Sequence, residues 1–219
     1  MRNLLLLLLS MAVTEFAGAQ DWANLDRYQT ANAALAGVPA DGRVVFMGDS
    51  ITEGWDLEAA FPGRPYVNRG ISGQTTPQML VRFRQDVVSL APEFVIILAG
   101  TNDIAGNTGP ATLEEIAGNI ASMAEIARAN GIVPIIASVL PARDYPWRPG
   151  LGPDVKIPQL NAMLADYAKS RGFPWLDYFT AMTDGENGLR PELTNDGVHV
   201  TSVGYLVMAT LVDEILDVL

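Results

Sequence analysis

The chain has no cysteine and only one histidine in 219 residues. The first absence rules out disulfides, so even in an oxidising compartment the fold must be held by its core. Together the two leave no nitrogen and sulfur ligand set for zinc, and no metal or other cofactor is expected. Basic residues are also scarce, 14 Lys and Arg against 25 Asp and Glu, for a net charge of −11. Nucleic acid and anionic lipid would each require a basic footprint, so neither is an expected partner. No apolar run reaches the roughly 20 residues of a membrane-spanning helix.

What is present is the composition of an ordinary globular protein, 49% hydrophobic and 18% charged. The first nineteen residues read as an export signal. Arg2 precedes an apolar run from Leu4 through Val13, and the small residues Ala17-Gly18-Ala19 form a cleavage site. Cleavage after Ala19 would leave residues 20–219 as one domain, periplasmic or secreted, with no membrane anchor. Its net charge would still be −11, because Arg2 and Glu15 leave together. No feature of the sequence sets an oligomeric state.

Beyond the leader, short apolar runs bounded by turn residues alternate with amphipathic stretches, the signature of repeated βα units around a parallel sheet. Strands are expected at Val44–Met47, Tyr66–Asn68, Phe94–Leu98, Val133–Ala137 and Trp175–Asp177. VVFM, FVIIL and VPIIA are apolar on both faces, as strands covered by helices on each side must be. Helical patterns run near 21–35, 76–90, 112–130, 155–170 and 202–216. Thr76-Pro77 supplies a cap and a first-turn proline, Thr112 with Glu115 has capping-box spacing, and Asn130-Gly131 ends a helix. Residues 140–153, LPARDYPWRPGLGP, hold four prolines and two aromatics and form a stiff loop after the fourth strand.

In an open parallel sheet ligands bind at the carboxyl ends of the strands. Those ends carry Gly48-Asp49-Ser50, Gly70-Ile71-Ser72-Gly73 and Gly100-Thr101-Asn102-Asp103, and Asp196-Gly197-Val198-His199 precedes the last helix. Ser50 requires a base, and His199 is the only imidazole available. Asp196, three residues earlier, can orient the ring and stabilise its cation. Singly, a serine after a strand is more often a helix cap and a lone histidine a packing residue. Jointly and at strand ends they describe a catalytic constellation. Asp49 and Asp103 are read as loop anchors rather than an acid–base pair, and Ser72 as a turn residue.

FMGDSITEGW, NRGISGQTT, LAGTNDIAG and DGVHVTSVGY resemble, in order, the four sequence blocks of the SGNH or GDSL hydrolase family. With the DYPWRPGL loop, they are most similar to the branch of bacterial platelet-activating-factor acetylhydrolase-like and lysophospholipase-like esterases. The resemblance implies the SGNH hydrolase fold, a three-layer, doubly wound, flavodoxin-like α/β architecture with a five-stranded parallel sheet. It implies a Ser50, His199, Asp196 triad and an oxyanion hole from the N–H groups of Ser50 and Gly73 with the Asn102 amide. The Gly-x-Ser-x-Gly elbow of α/β-hydrolases is absent.

The expected activity is hydrolysis of a short acyl ester, an acetyl group above all, on a small molecule or polysaccharide. Transfer of the acyl group to a sugar hydroxyl, lysophospholipid hydrolysis and inactive carbohydrate binding are the alternatives. In the 140–153 loop, Tyr145 and Trp147 are expected to form a platform for acyl or sugar, and Arg148 to bond a polar leaving group. Packing of these aromatics onto the domain is the competing expectation.

Overall fold

The computed structural model describes residues 21–219, so the expected leader at 1–19 lies outside the described residues. Five strands, β1 (Val44–Gly48), β2 (Tyr66–Gly70), β3 (Phe94–Leu98), β4 (Val133–Ala137) and β5 (Trp175–Leu176), form one sheet. All pairings are parallel and the order is β2-β1-β3-β4-β5. This is the doubly wound order, and its direction reverses between β1 and β3. The crevice for a ligand therefore opens at the carboxyl ends of those two strands.

Successive strand residues face opposite sides. Val45 and Met47 of β1 join Val95, Ile97 and Ile136 beneath α4 (Thr76–Asp86), α6 (Leu113–Ala129) and α7 (Pro153–Arg171). Val44 and Phe46 join Ile96, Leu98 and Ile135 on the other face. That face is covered by α3 (Leu57–Ala60), α8 (Tyr178–Met182) and α9 (Ser202–Leu216). Two more short helices, α2 (Ser50–Glu53) and α5 (Thr101–Ile104), begin directly after β1 and β3.

Several boundaries differ from the sequence expectation. The first helix, α1, covers only Gln29–Leu35 and buries no residue, while 21–28 form turns. The Asp21 carboxylate accepts the Asp26 N–H at 3.0 Å and holds those turns. The cap of α4 is Thr75 rather than Thr76, because the Gln78 side chain bonds the Thr75 N–H at 3.0 Å. At α6 the Thr112–Glu115 box forms as expected. Helix α7 continues through Pro158, which has no N–H for the Asp154 carbonyl. The Asn187 amide takes that carbonyl instead, at 2.9 Å.

Helix α2 lies against the ends of β1 and β2, and two glycines make room for it. A Cβ at Gly70 would stand 2.1 Å from the Glu53 backbone nitrogen, and one at Gly48 would stand 2.0 Å from Thr52 Oγ1. The obstacle at Gly70 is backbone, which cannot rotate away. Gly70→Ala is therefore expected to cost about 1–3 kcal/mol, as overpacking does, and to displace the helix carrying Ser50. Chemical denaturation together with ester hydrolysis checks this: a variant with wild-type stability would show that α2 is not held as described.

Candidate active site

After β1 the turn is organised by Asp49, whose carboxylate accepts the Ile51 N–H at 3.0 Å and caps α2. Ser50 is thus relieved of the capping role a serine commonly takes at such a place. Its Oγ lies 3.0 Å from His199 Nε2. His199 Nδ1 lies 2.7 Å from Asp196 Oδ2, and the other oxygen of Asp196 accepts the N–H groups of Val198 at 2.9 Å and His199 at 2.8 Å. Gly197, at φ +87°, lets the loop fold back over that carboxylate. Burial pushes the Asp196 carboxyl up, but the bonds from the ring and the two N–H groups outweigh it and hold it below its ordinary value. A carboxylate there favours a proton on Nδ1, which leaves the Nε2 lone pair facing Ser50. The arrangement is open to solvent, with the side chains of His199 and Asp196 46% and 41% exposed.

In the turn after β2, Gly73 adopts φ +76°, a left-handed conformation that favours glycine. The N–H groups of Ser50 and Gly73 have no protein acceptor among the described residues. Asn102, buried at the start of α5, donates from Nδ2 to the Gln74 carbonyl at 3.1 Å. Its Oδ1 accepts from Asn107 Nδ2 at 3.0 Å. Asp103 accepts the N–H of Thr76 at 3.0 Å and its hydroxyl at 2.6 Å, tying α5 to α4. Ser72 donates its N–H to Glu53 at 2.8 Å and its hydroxyl to the same oxygen, so it holds a turn. Asp49 and Asp103 are likewise occupied as anchors.

The 140–153 loop divides the roles expected of it. Tyr145 is buried and pairs with the Thr101 hydroxyl at 3.1 Å, so it presents no face for a substrate; this corrects its assignment as a platform. Trp147 is the exposed aromatic. It stacks on Tyr145 at 5.3 Å, and its ring centroid is 6.1 Å from that of His199. Arg148 Nη1 donates to the carbonyls of Ala105 at 2.6 Å and Gly106 at 2.7 Å, lashing the loop to the end of α5. Cavities flank this ridge. One of about 600 Å³ is lined by Gly106, Pro110, Arg148, Lys156 and Gln159 among others, and one of about 300 Å³ by Arg143, Leu189 and Asp196. Among the described residues no group of three or more His, Asp or Glu is placed to hold a metal ion.

Sequence reasoning passed over Glu53, Gln74, Arg82 and Asn107, each of which holds part of this site. For Arg82 a signal existed: with Met79, Phe83 and Asp86 it falls on the buried stripe of α4, where a charge needs a reason.

The model of the GDSL-like lipase/acylhydrolase family matches residues 46–207, a span that includes every strand end described above. The chain belongs to this family. A GDSL-like lipase of known structure from Bacteroides thetaiotaomicron is 47% identical, with a TM-score of 0.86, over 90% of this chain and 99% of that one. The uncharacterized lipoprotein YqeF of Bacillus subtilis is 33% identical over 117 residues, 45% of this chain and 48% of that protein. An acetylxylan esterase of Geobacillus stearothermophilus is 40% identical over 50 residues, 22% and 23% of the two chains. The matches thus span about half or less of the curated relatives. Membership of this acylhydrolase family makes the protein a carboxylic ester hydrolase. No helix among its described residues is long and apolar enough to cross a membrane.

The two anchoring carboxyls of this acylhydrolase carry an electrostatic cost. Burial pushes Asp49 and Asp103 each up to about 6, against the bonds from Ile51 and Thr76 that favour the charged form. Folded, they hold a proton that the unfolded chain releases near pH 4. Their contribution to stability is therefore complete below about pH 4 and declines as pH rises through about 6. Asp49→Asn keeps an oxygen for the Ile51 N–H but removes the ionisation. It is expected to melt about 2–6 °C above the wild type at pH 8 and close to it at pH 4. Thermal melts of both proteins across this range check it; parallel curves would contradict the assignment.

Proposed function

We propose that the protein hydrolyses short acyl esters, acetyl esters of saccharides in particular, through an acyl-enzyme on Ser50. The observation that carries this reading is the continuous relay from Ser50 Oγ to His199 Nε2 at 3.0 Å and from His199 Nδ1 to Asp196 at 2.7 Å. His199 takes the Ser50 proton as Oγ attacks the carbonyl carbon, and Asp196 stabilises the imidazolium that results. The carbonyl oxygen becomes an anion facing the N–H groups of Ser50 and Gly73 and the free Nδ2 hydrogen of Asn102. Collapse expels the alcohol, which receives the proton from His199. Water, deprotonated by the same imidazole, then frees the acid and regenerates Ser50.

Three features support the choice of substrate. The half-exposed imidazole leaves water free to reach the acyl-enzyme, which favours hydrolysis over transfer to a sugar, a reaction that needs water excluded. The linings of the two cavities beside the loop include neither Ser50 nor His199, so neither serves as an apolar tunnel for a long acyl chain at the reacting atoms. Trp147 stacks on Tyr145 by one face but is 44% exposed and stands 6.1 Å from the His199 ring, where a sugar ring can pack against it. The acetylxylan esterase relative agrees with an acetylated polysaccharide as substrate. Export is part of this reading. It rests on the segment 1–19, and the lipoprotein relative agrees with it.

Ser50→Ala is expected to lower kcat for a short aryl ester by roughly 10⁴ to 10⁶, with an unchanged melting temperature and no labelling by a fluorophosphonate. More than a tenth of wild-type activity remaining would overturn the assignment. Trp147→Ala is expected to lower activity on acetylated xylan oligosaccharides about tenfold relative to a small aryl acetate, whose rate should change little. An equal loss on both substrates, tracking thermal stability, would assign the tryptophan to packing alone.

A further inference from the structure

Both hydrogens of the Asn107 side-chain amide are in use, and each ends on a different part of the oxyanion site. One goes to the Gly73 carbonyl and one to Asn102 Oδ1, both at 3.0 Å. A primary amide has two N–H donors and no more, so this bridge exhausts them. We propose that Asn107 is a positioning residue that sets the direction of both the Gly73 turn and the Asn102 amide toward the developing oxyanion. The inference rests on the reading of Gly73 and Asn102 as oxyanion donors.

A carboxamide is nearly the same shape when turned by 180°, so its hydrogen-bond partners decide which end faces a given point. Asn102 has an acceptor, the Gln74 carbonyl, against Nδ2 and a donor, Asn107, against Oδ1. Without Asn107 only the Gln74 carbonyl opposes the flip, so the orientation is less firmly set, and a flipped amide would aim a lone pair where negative charge develops. Gly73 is gripped from both directions. Its predecessor Ser72 is bonded to Glu53 of α2, and its own carbonyl is bonded to Asn107. The N–H between these two attachments is thereby aimed before the substrate arrives, which is what lowers the reorganisation cost of a charged transition state. Asn107 is itself fixed. Its backbone N–H donates to the Asn102 carbonyl at 3.0 Å, and Gly106, at φ +71°, makes the turn that returns the side chain to the site.

The test is a set of steady-state measurements on a soluble aryl acetate with Asn107→Ala, Asn107→Asp, Asn102→Ala and the Asn102→Ala/Asn107→Ala double variant. Asn107→Ala is expected to lower kcat about tenfold to a hundredfold with KM within about threefold, a loss smaller than or equal to that of deleting an oxyanion donor. Asn107→Asp, which sets a carboxylate against two acceptors, is expected to lose at least as much and gives the same readout if the alanine variant folds poorly. In the Asn102→Ala background the Asn107 substitution is expected to cost several-fold less, because the amide it orients is gone. The pH dependence of kcat should keep its wild-type shape, since the relay through His199 is untouched. Wild-type kcat in both single Asn107 variants, or equal losses in the two backgrounds, would overturn the proposal while leaving the oxyanion reading intact. Wild-type kcat in Asn102→Ala would overturn the reading itself.

Discussion

A fully buried guanidinium, that of Arg82, stands beneath the carboxyl ends of β1 and β2 and joins the parts that must stay in register. Its Nη2 donates to the carbonyls of Gly48 at 3.2 Å and Arg69 at 2.8 Å, at the ends of β1 and β2. Its Nε donates to Gln74 Oε1 at 2.6 Å, and Nη1 pairs with Asp86 at 3.0 Å. Burial lowers the Arg82 pKa below its ordinary value, with Asp86 opposing that shift. A guanidinium nevertheless keeps its charge, and removing one partner of a buried ion pair leaves the other uncompensated. Asn32 extends the network by bonding Asp86 at 2.7 Å and accepting from Arg69 at 2.9 Å. The strand ends and the loop carrying Gly73 are thereby locked to one rigid group.

From this hub the constraint spreads upward through side-chain amides. Gln74 meets Arg82 through its side chain and Asn102 through its carbonyl. Asn102 meets Asn107, and Asn107 returns to Gly73. Rigidity is concentrated around Gly73 and Asn102, and the side of the site at His199 is open to solvent. The His199 ring stands on a surface loop between Asp196 and Trp147, held by Asp196 and by the Thr194 hydroxyl on its carbonyl at 2.7 Å.

Much of this was legible in the chain. VVFM, FVIIL and VPIIA, apolar on both faces, marked the covered central strands, and the polar turns after them marked the functional edge of the sheet. Local reasoning failed where a residue's role depended on something distant in sequence. Thr76 looked like a cap, but Asp103 claims its hydroxyl across two elements and Thr75 caps in its place. Tyr145 and Trp147 are two residues apart in one loop, and only packing against Thr101 decides that the first is buried and the second exposed. Arg82 and Asp86 have the spacing of an ordinary surface ion pair on a helix, and only their place on the apolar stripe with Met79 and Phe83 hints that the pair is buried.

By itself the sequence determined the class of fold, the strands and main helices within a few residues, and the four turns that carry polar groups. Periodicity, turn chemistry and the motifs are short-range properties and can be read in order along the chain. The distances between those turns, the buried cation that joins them and the direction in which each amide points were decided only by the tertiary structure. Each of these depends on groups brought together from up to 149 residues apart, as Ser50 and His199 are. Hydrogen bonds select a direction only when both partners are in place, and no local pattern specifies that.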